Sequence, residues 1–177
     1  MAVAQTNIDR EALISRLQSS QERYLKAFAD ITEARGTASL GEGGWSIAQI
    51  AEHVALVEAG LLNRLKNAWP RGVMTNFEKD IQLQSDAVNR GQKRQAPPMA
   101  LPTGRFANLG QAIHAFKEAR ASTMEHVRNY SGDFRKLSAE SSFGELDGYQ
   151  LILLIALHPE RHTLQIDEIK NSPAYLK

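Results

Sequence analysis

His158 and His162 lie four positions apart in the run LHPERHTLQIDEI, residues 157–169. On a helix of about 3.6 residues per turn they share one face, a turn apart. Their stripe reads Leu151, Ile155, His158, His162, Gln165, Ile169, with steps that alternate four and three, the repeat of a buried seam. Two imidazoles and an amide thus stand where aliphatic side chains belong, and buried polar groups are costly unless partnered. A third histidine, His53, falls on a different apolar face, between Ile50 and Val57. Three imidazoles suit a divalent ion such as zinc or nickel, with a coordination position left for water or a small molecule. A hydrogen-bonded polar network would satisfy the same side chains, and the spacing alone leaves both readings open.

Competing chemistries fail on their spacing. HPERH is neither HExxH nor HxxEH, so neither protease pattern supplies a base. The residues three before His53, His158 and His162 are Ile50, Ile155 and Pro159, not the carboxylates of a di-iron centre. There is no cysteine, which excludes disulfides, thiolate ligands and a cysteine nucleophile. Gln165, one turn past His162, is placed to orient a ligand or bind a cofactor or substrate. Glu52 points about 100° away from His53 around its helix and is expected to be solvated. Glu160 and Arg161 are expected to face outward or toward a neighbouring helix. His114 and His126 lie off their helix's apolar stripe and read as surface or rim residues. Pro159 lacks an N–H, which leaves the Ile155 carbonyl without its helical donor and predicts a kink at the two histidines.

The elements that position these residues are helical. Apolar periodicity predicts helices near 9–35, 46–69, 108–130 and 147–170. Ser46 with Gln49 and Asp147 with Gln150 form N-terminal capping pairs, and Asn108 is a further cap. Pro70 ends the second helix. Residues 70–107 form a long connection with a short amphipathic piece near Phe77 to Val88. A link of that length lets the third helix run parallel to the second. No strand pattern is expected. The expected fold is all-α, a single four-helix-bundle domain over residues 1–177, up-down-down-up, with the long crossover between the second and third helices.

Composition narrows the partners. The chain has 177 residues, 42% hydrophobic and 23% charged, with a net charge of +1. That balance gives no electrostatic case for nucleic acid or an anionic membrane. The longest apolar run, Leu151 to Leu157, is too short to span a bilayer, and MAVAQTNIDR has no apolar signal core. A cytoplasmic location is the expectation.

Trp45-Ser46 followed by Ala51-Glu52-His53, together with His158-Pro-Glu-Arg-His162-Thr-Leu-Gln165, resembles the paired motifs of the DinB-like (DinB/YfiT-like) superfamily over about residues 9–170. The resemblance implies a four-helix bundle that holds one divalent metal on three histidines, which map onto His53, His158 and His162. It also implies a homodimer. Some relatives are transferases or isomerases that use a low-molecular-weight thiol such as bacillithiol or mycothiol. The leading expectation is a metal-dependent hydrolase or thiol-dependent transferase whose open coordination position lowers the pKa of water or a thiol. The alternatives are a non-catalytic metal-stabilised or small-ligand-binding bundle, and an interaction protein whose histidines form a polar network. The sequence names neither the metal nor the small-molecule substrate.

Overall fold

A computed structural model describes residues 2–70 and 75–176; residues 71–74 of the long connection, and the two terminal residues, lie outside the described residues. Four long helices dominate: α1 (Ala2–Lys26), α2 (Ile47–Lys66), α4 (Leu109–Asn129) and α5 (Gly148–Lys170). Between α2 and α4 lies a short helix, α3 (Glu78–Asp86), and a last turn, α6 (Pro173–Leu176), follows α5. Both capping pairs form. The Ser46 hydroxyl accepts the Gln49 N–H and the Gln49 side chain accepts the Ser46 N–H; Asp147 and Gln150 do the same for α5. Asn108 caps α4 by accepting the Gln111 N–H at 2.8 Å. Each cap satisfies donors that a helix start would otherwise orphan.

The long helices pack in the pairs α1–α5, α2–α4, α2–α5 and α1–α4. Glu58 pairs with Arg120, and Lys66 acts on His126, so residue numbers rise together along α2 and α4. One apolar cluster joins Leu17, Leu61, Leu65, Leu151 and Ile155 toward one end. A second joins Tyr24, Val54, Phe116 and Ile166 toward the other.

Three expectations are corrected. The first helix stops at Lys26 rather than residue 35, and the chain continues in tight turns such as Ile31 N–H to Phe28 O at 3.0 Å. Leaving the helix lets the Glu33 carboxylate accept the Leu109 and Gly110 N–H groups at the start of α4. The second helix ends at Lys66, because Trp69, preceding Pro70, is extended. Trp69–Pro70 is β1, and it edges a three-stranded antiparallel sheet with β2 (Leu137–Ser141) and β3 (Gly144–Asp147). No strands were expected, and strands of two, five and four residues are too short to carry a periodic signal. Gly144, at φ +77°, turns the hairpin through a conformation that L side chains rarely adopt. The fold is mostly helical, and among the described residues no helix is long and apolar enough to cross a membrane.

Candidate metal centre

His53 enters from α2, and His158 and His162 from consecutive turns of α5. The His158 Nε2 atom stands 3.2 Å from the Nε2 of His53 and 3.2 Å from the Nε2 of His162. His53 and His162 are each only 5% exposed, and His158 is half-buried. The Trp45 ring covers His53 at a centroid distance of 4.7 Å.

The outer nitrogens fix the inner ones. The Nδ1 of His53 lies 2.7 Å from the Ala100 carbonyl, which can only accept, so Nδ1 donates. The Nδ1 of His162 donates to Gln165 Oε1 at 2.9 Å. In the neutral rings this leaves both Nε2 atoms as lone pairs aimed at His158. Burial, partly offset by the bond to Ala100, holds His53 below the ordinary histidine range. Burial and the neighbouring imidazoles hold His158 and His162 well below it, with Arg161 acting the same way. The rings are therefore in the form that ligates. His158 has one Nε2 position and faces two lone pairs, so a hydrogen-bonded network satisfies at most one of them. A divalent ion satisfies all three nitrogens. With metal–nitrogen distances of about 2.0–2.1 Å, two edges of 3.2 Å subtend roughly 100° each, between octahedral and tetrahedral angles. The residues fit a metal ion, and among the described residues no carboxylate or fourth imidazole joins the cluster.

The long connection supplies the rest of the site. Ala100, whose carbonyl holds His53, lies in it. Glu52 ties the same segment down: its carboxylate accepts the N–H groups of Thr103, Gly104 and Arg105 at 2.9, 3.0 and 3.1 Å. Glu52 is 4% exposed, which corrects the expectation that it is solvated. Burial alone would raise its carboxyl pKa, but the N–H groups of Arg105, Thr103 and Gly104 bring it below the usual value. Arg161 faces neither outward nor toward a neighbouring helix, the two expected places, but toward the long connection. It is 7% exposed and donates to the carbonyls of Asn89 and Gln92 in the connection. Glu160 faces α1, where it pairs with Arg16 and Arg23. His114 is exposed, and His126 packs near Tyr130 and Phe134, not with the three histidines.

The sequence reading missed the Ala100 carbonyl and the buried Arg120–Glu58 pair. The Ala100 carbonyl is backbone and leaves no residue signature. Arg120 and Glu58 did leave one: Phe116, Arg120, Thr123, Val127 and Val54, Glu58, Leu61, Leu65 are buried stripes interrupted by a charge.

Fold and site together define a four-helix bundle with a buried three-histidine cluster that fits a divalent metal. The DinB superfamily profile matches residues 16–166, and the chain belongs to that superfamily. Among solved structures it is similar to YfiT from Bacillus subtilis, described as a probable metal-dependent hydrolase with an unusual four-helix bundle topology. That match has a TM-score of 0.63 at 15% identity and covers 91% of this chain and 85% of YfiT. It is also similar to TT2238, described as a four-helix bundle protein, with a TM-score of 0.56 at 22% identity over 92% of this chain and 99% of the other. At these identities the likeness carries the fold. No curated protein is significantly similar to the chain.

Proposed function

We propose that His53, His158 and His162 bind one divalent ion, zinc or nickel, and that the chain is a metal-dependent hydrolase. The observation that carries this reading is the convergence of three Nε2 atoms, with no fourth protein ligand beside them among the described residues. Closed structural sites use four protein ligands, whereas catalytic ones keep a position free. A bound ion would supply Lewis acidity and lower the pKa of a coordinated water or thiol. The chain's own residues do the positioning. Ala100 and Gln165 orient two of the rings, Trp45 covers His53, and Glu52 holds the crossover segment against α2. The description of YfiT as a metal-dependent hydrolase supports hydrolysis as the reaction class. With no cysteine in the chain, thiol transfer would require a low-molecular-weight thiol from outside. The bundle is read as up-down-down-up, supported by the in-step numbering of α2 and α4, and as a homodimer in solution.

The test is chelator-treated protein reloaded with zinc or nickel and assayed against ester, amide and thiol-transfer substrates, with His162→Ala as control. Metal-dependent hydrolytic turnover that vanishes in the control is the expected result. Turnover only when a small thiol is added would reassign the reaction to transfer. Tight metal binding with no turnover above the control would leave a metal-stabilised bundle instead.

A further inference from the structure

Pro159 sits inside α5 and has no N–H to give the Ile155 carbonyl. Ile155 is fully buried, so its carbonyl cannot turn to water. The missing donor comes from another helix: Arg120 of α4 sends Nη2–H to the Ile155 oxygen at 3.2 Å. The remaining donors of the guanidinium are also engaged. Nε and Nη2 bond the two Glu58 oxygens at 2.7 and 2.9 Å, and Nη1 bonds the Leu17 carbonyl at 2.6 Å and the Ser20 hydroxyl at 2.8 Å. Thr123 donates to the same Glu58 at 3.1 Å. One fully buried side chain therefore touches α1, α2 and α5 from α4. A lysine could not do so, because it lacks the planar fork.

The placement matters for the metal centre. Ile155 precedes His158 by three residues, and Glu58 follows His53 by five. Arg120 joins the two helices that carry the three imidazoles, close to where the imidazoles meet. We propose that Arg120 is a positioning residue for the metal centre. By standing in for the donor that Pro159 lacks while gripping Glu58, it sets the height of α5 against α2 and so the register of His158 and His162 against His53. This rests on the three-histidine reading above.

A plain core ion pair would stabilise the bundle without regard to residue 159. A positioning role through the Ile155 carbonyl requires Arg120 and Pro159 to be coupled. The variant to use is Arg120→Gln with Glu58→Gln. It leaves no buried unpaired charge, and the glutamine amide ends near the position of the arginine Nε, short of Ile155. Arg120→Lys is the second variant, and it keeps the buried charge pair. Each is made with Pro159 and with Pro159→Ala, which returns an N–H to the Ile155 carbonyl. Zinc affinity is read by chelator competition and geometry by the ligand-field spectrum of the cobalt-loaded protein, with thermal melting as the fold control. With Pro159 in place, the Arg120 variants should lose about tenfold or more in zinc affinity and shift the cobalt spectrum. In the Pro159→Ala background the same changes should cost less than about threefold. Equal losses in both backgrounds, or no loss with Pro159, would overturn the positioning role while leaving the metal site standing. A wild type that takes up no zinc would bring down the three-histidine reading and this inference with it.

Discussion

His53 and His158 hold their Nε2 atoms 3.2 Å apart across the α2–α5 seam, although 105 residues separate them in the chain. Two outer bonds maintain the arrangement, one to a backbone carbonyl and one to an amide side chain. Their roles can be tested separately.

Gln165→Leu removes the acceptor for His162 Nδ1 and keeps the side chain's approximate size. The ring is then free to rotate and to change tautomer. Metal affinity should fall about 10- to 100-fold, with little change in melting temperature, since Gln165 is only half-buried. Competition titration with a coloured chelator measures it. Unchanged affinity would show that Gln165 does not orient the ring.

Glu52→Ala deletes three hydrogen bonds that hold residues 103–105. Hydrogen exchange at the Thr103, Gly104 and Arg105 amides should speed up, and Ala100 should exchange faster if the whole segment lifts. Exchange that rises across every helix instead would mean that Glu52 supports the core and not the crossover.

Glu58→Ala leaves the Arg120 guanidinium buried without its counter-ion. Breaking a buried pair on one side costs about 3–5 kcal/mol, so a large drop in denaturant midpoint is expected. Arg120→Gln with Glu58→Gln should cost clearly less. A smaller loss for Glu58→Ala than for the paired change would contradict the account of this core.

The pH dependence has a definite sign. In the metal-free fold, burial keeps His53 below, and His158 and His162 well below, the ordinary histidine range. The unfolded chain therefore binds more protons once the pH drops below about 6.5. Stability is full above that value and is lost as the pH falls toward the lowered folded-state values. Metal binding, which needs neutral rings, weakens in the same direction. Urea melts of metal-free protein across the acid range check this. His53→Ala with His158→Ala and His162→Ala should make the profile shallower near pH 6, where carboxylates do not yet titrate; burial also lowers His126, which keeps a smaller slope of the same sign.

The helices of the site were legible because His53, His158 and His162 each replace an aliphatic residue in a clean stripe, and because Ser46–Gln49 and Asp147–Gln150 mark where two of those helices begin. The Ile155 carbonyl was legible as an orphan from Pro159 alone. Its partner was not, since no local rule connects residue 155 to residue 120. Glu52 was misread for a related reason. Its angle around α2 is correct, but the surface it faces is covered by the crossover, whose course depends on contacts far apart in sequence. The hairpin of β2 and β3 left no strand pattern because LSAES and GELD are too short to display alternation.

The central claim is that three imidazoles form one metal site, and calorimetric titration of chelator-stripped protein with zinc tests it most directly. The prediction is one ion per chain for the wild type, with proton release at mildly acid pH, and loss of that binding in His53→Ala as well as in His158→Ala. Wild type that binds no more zinc than either variant would contradict it and leave the three histidines as a buried polar cluster.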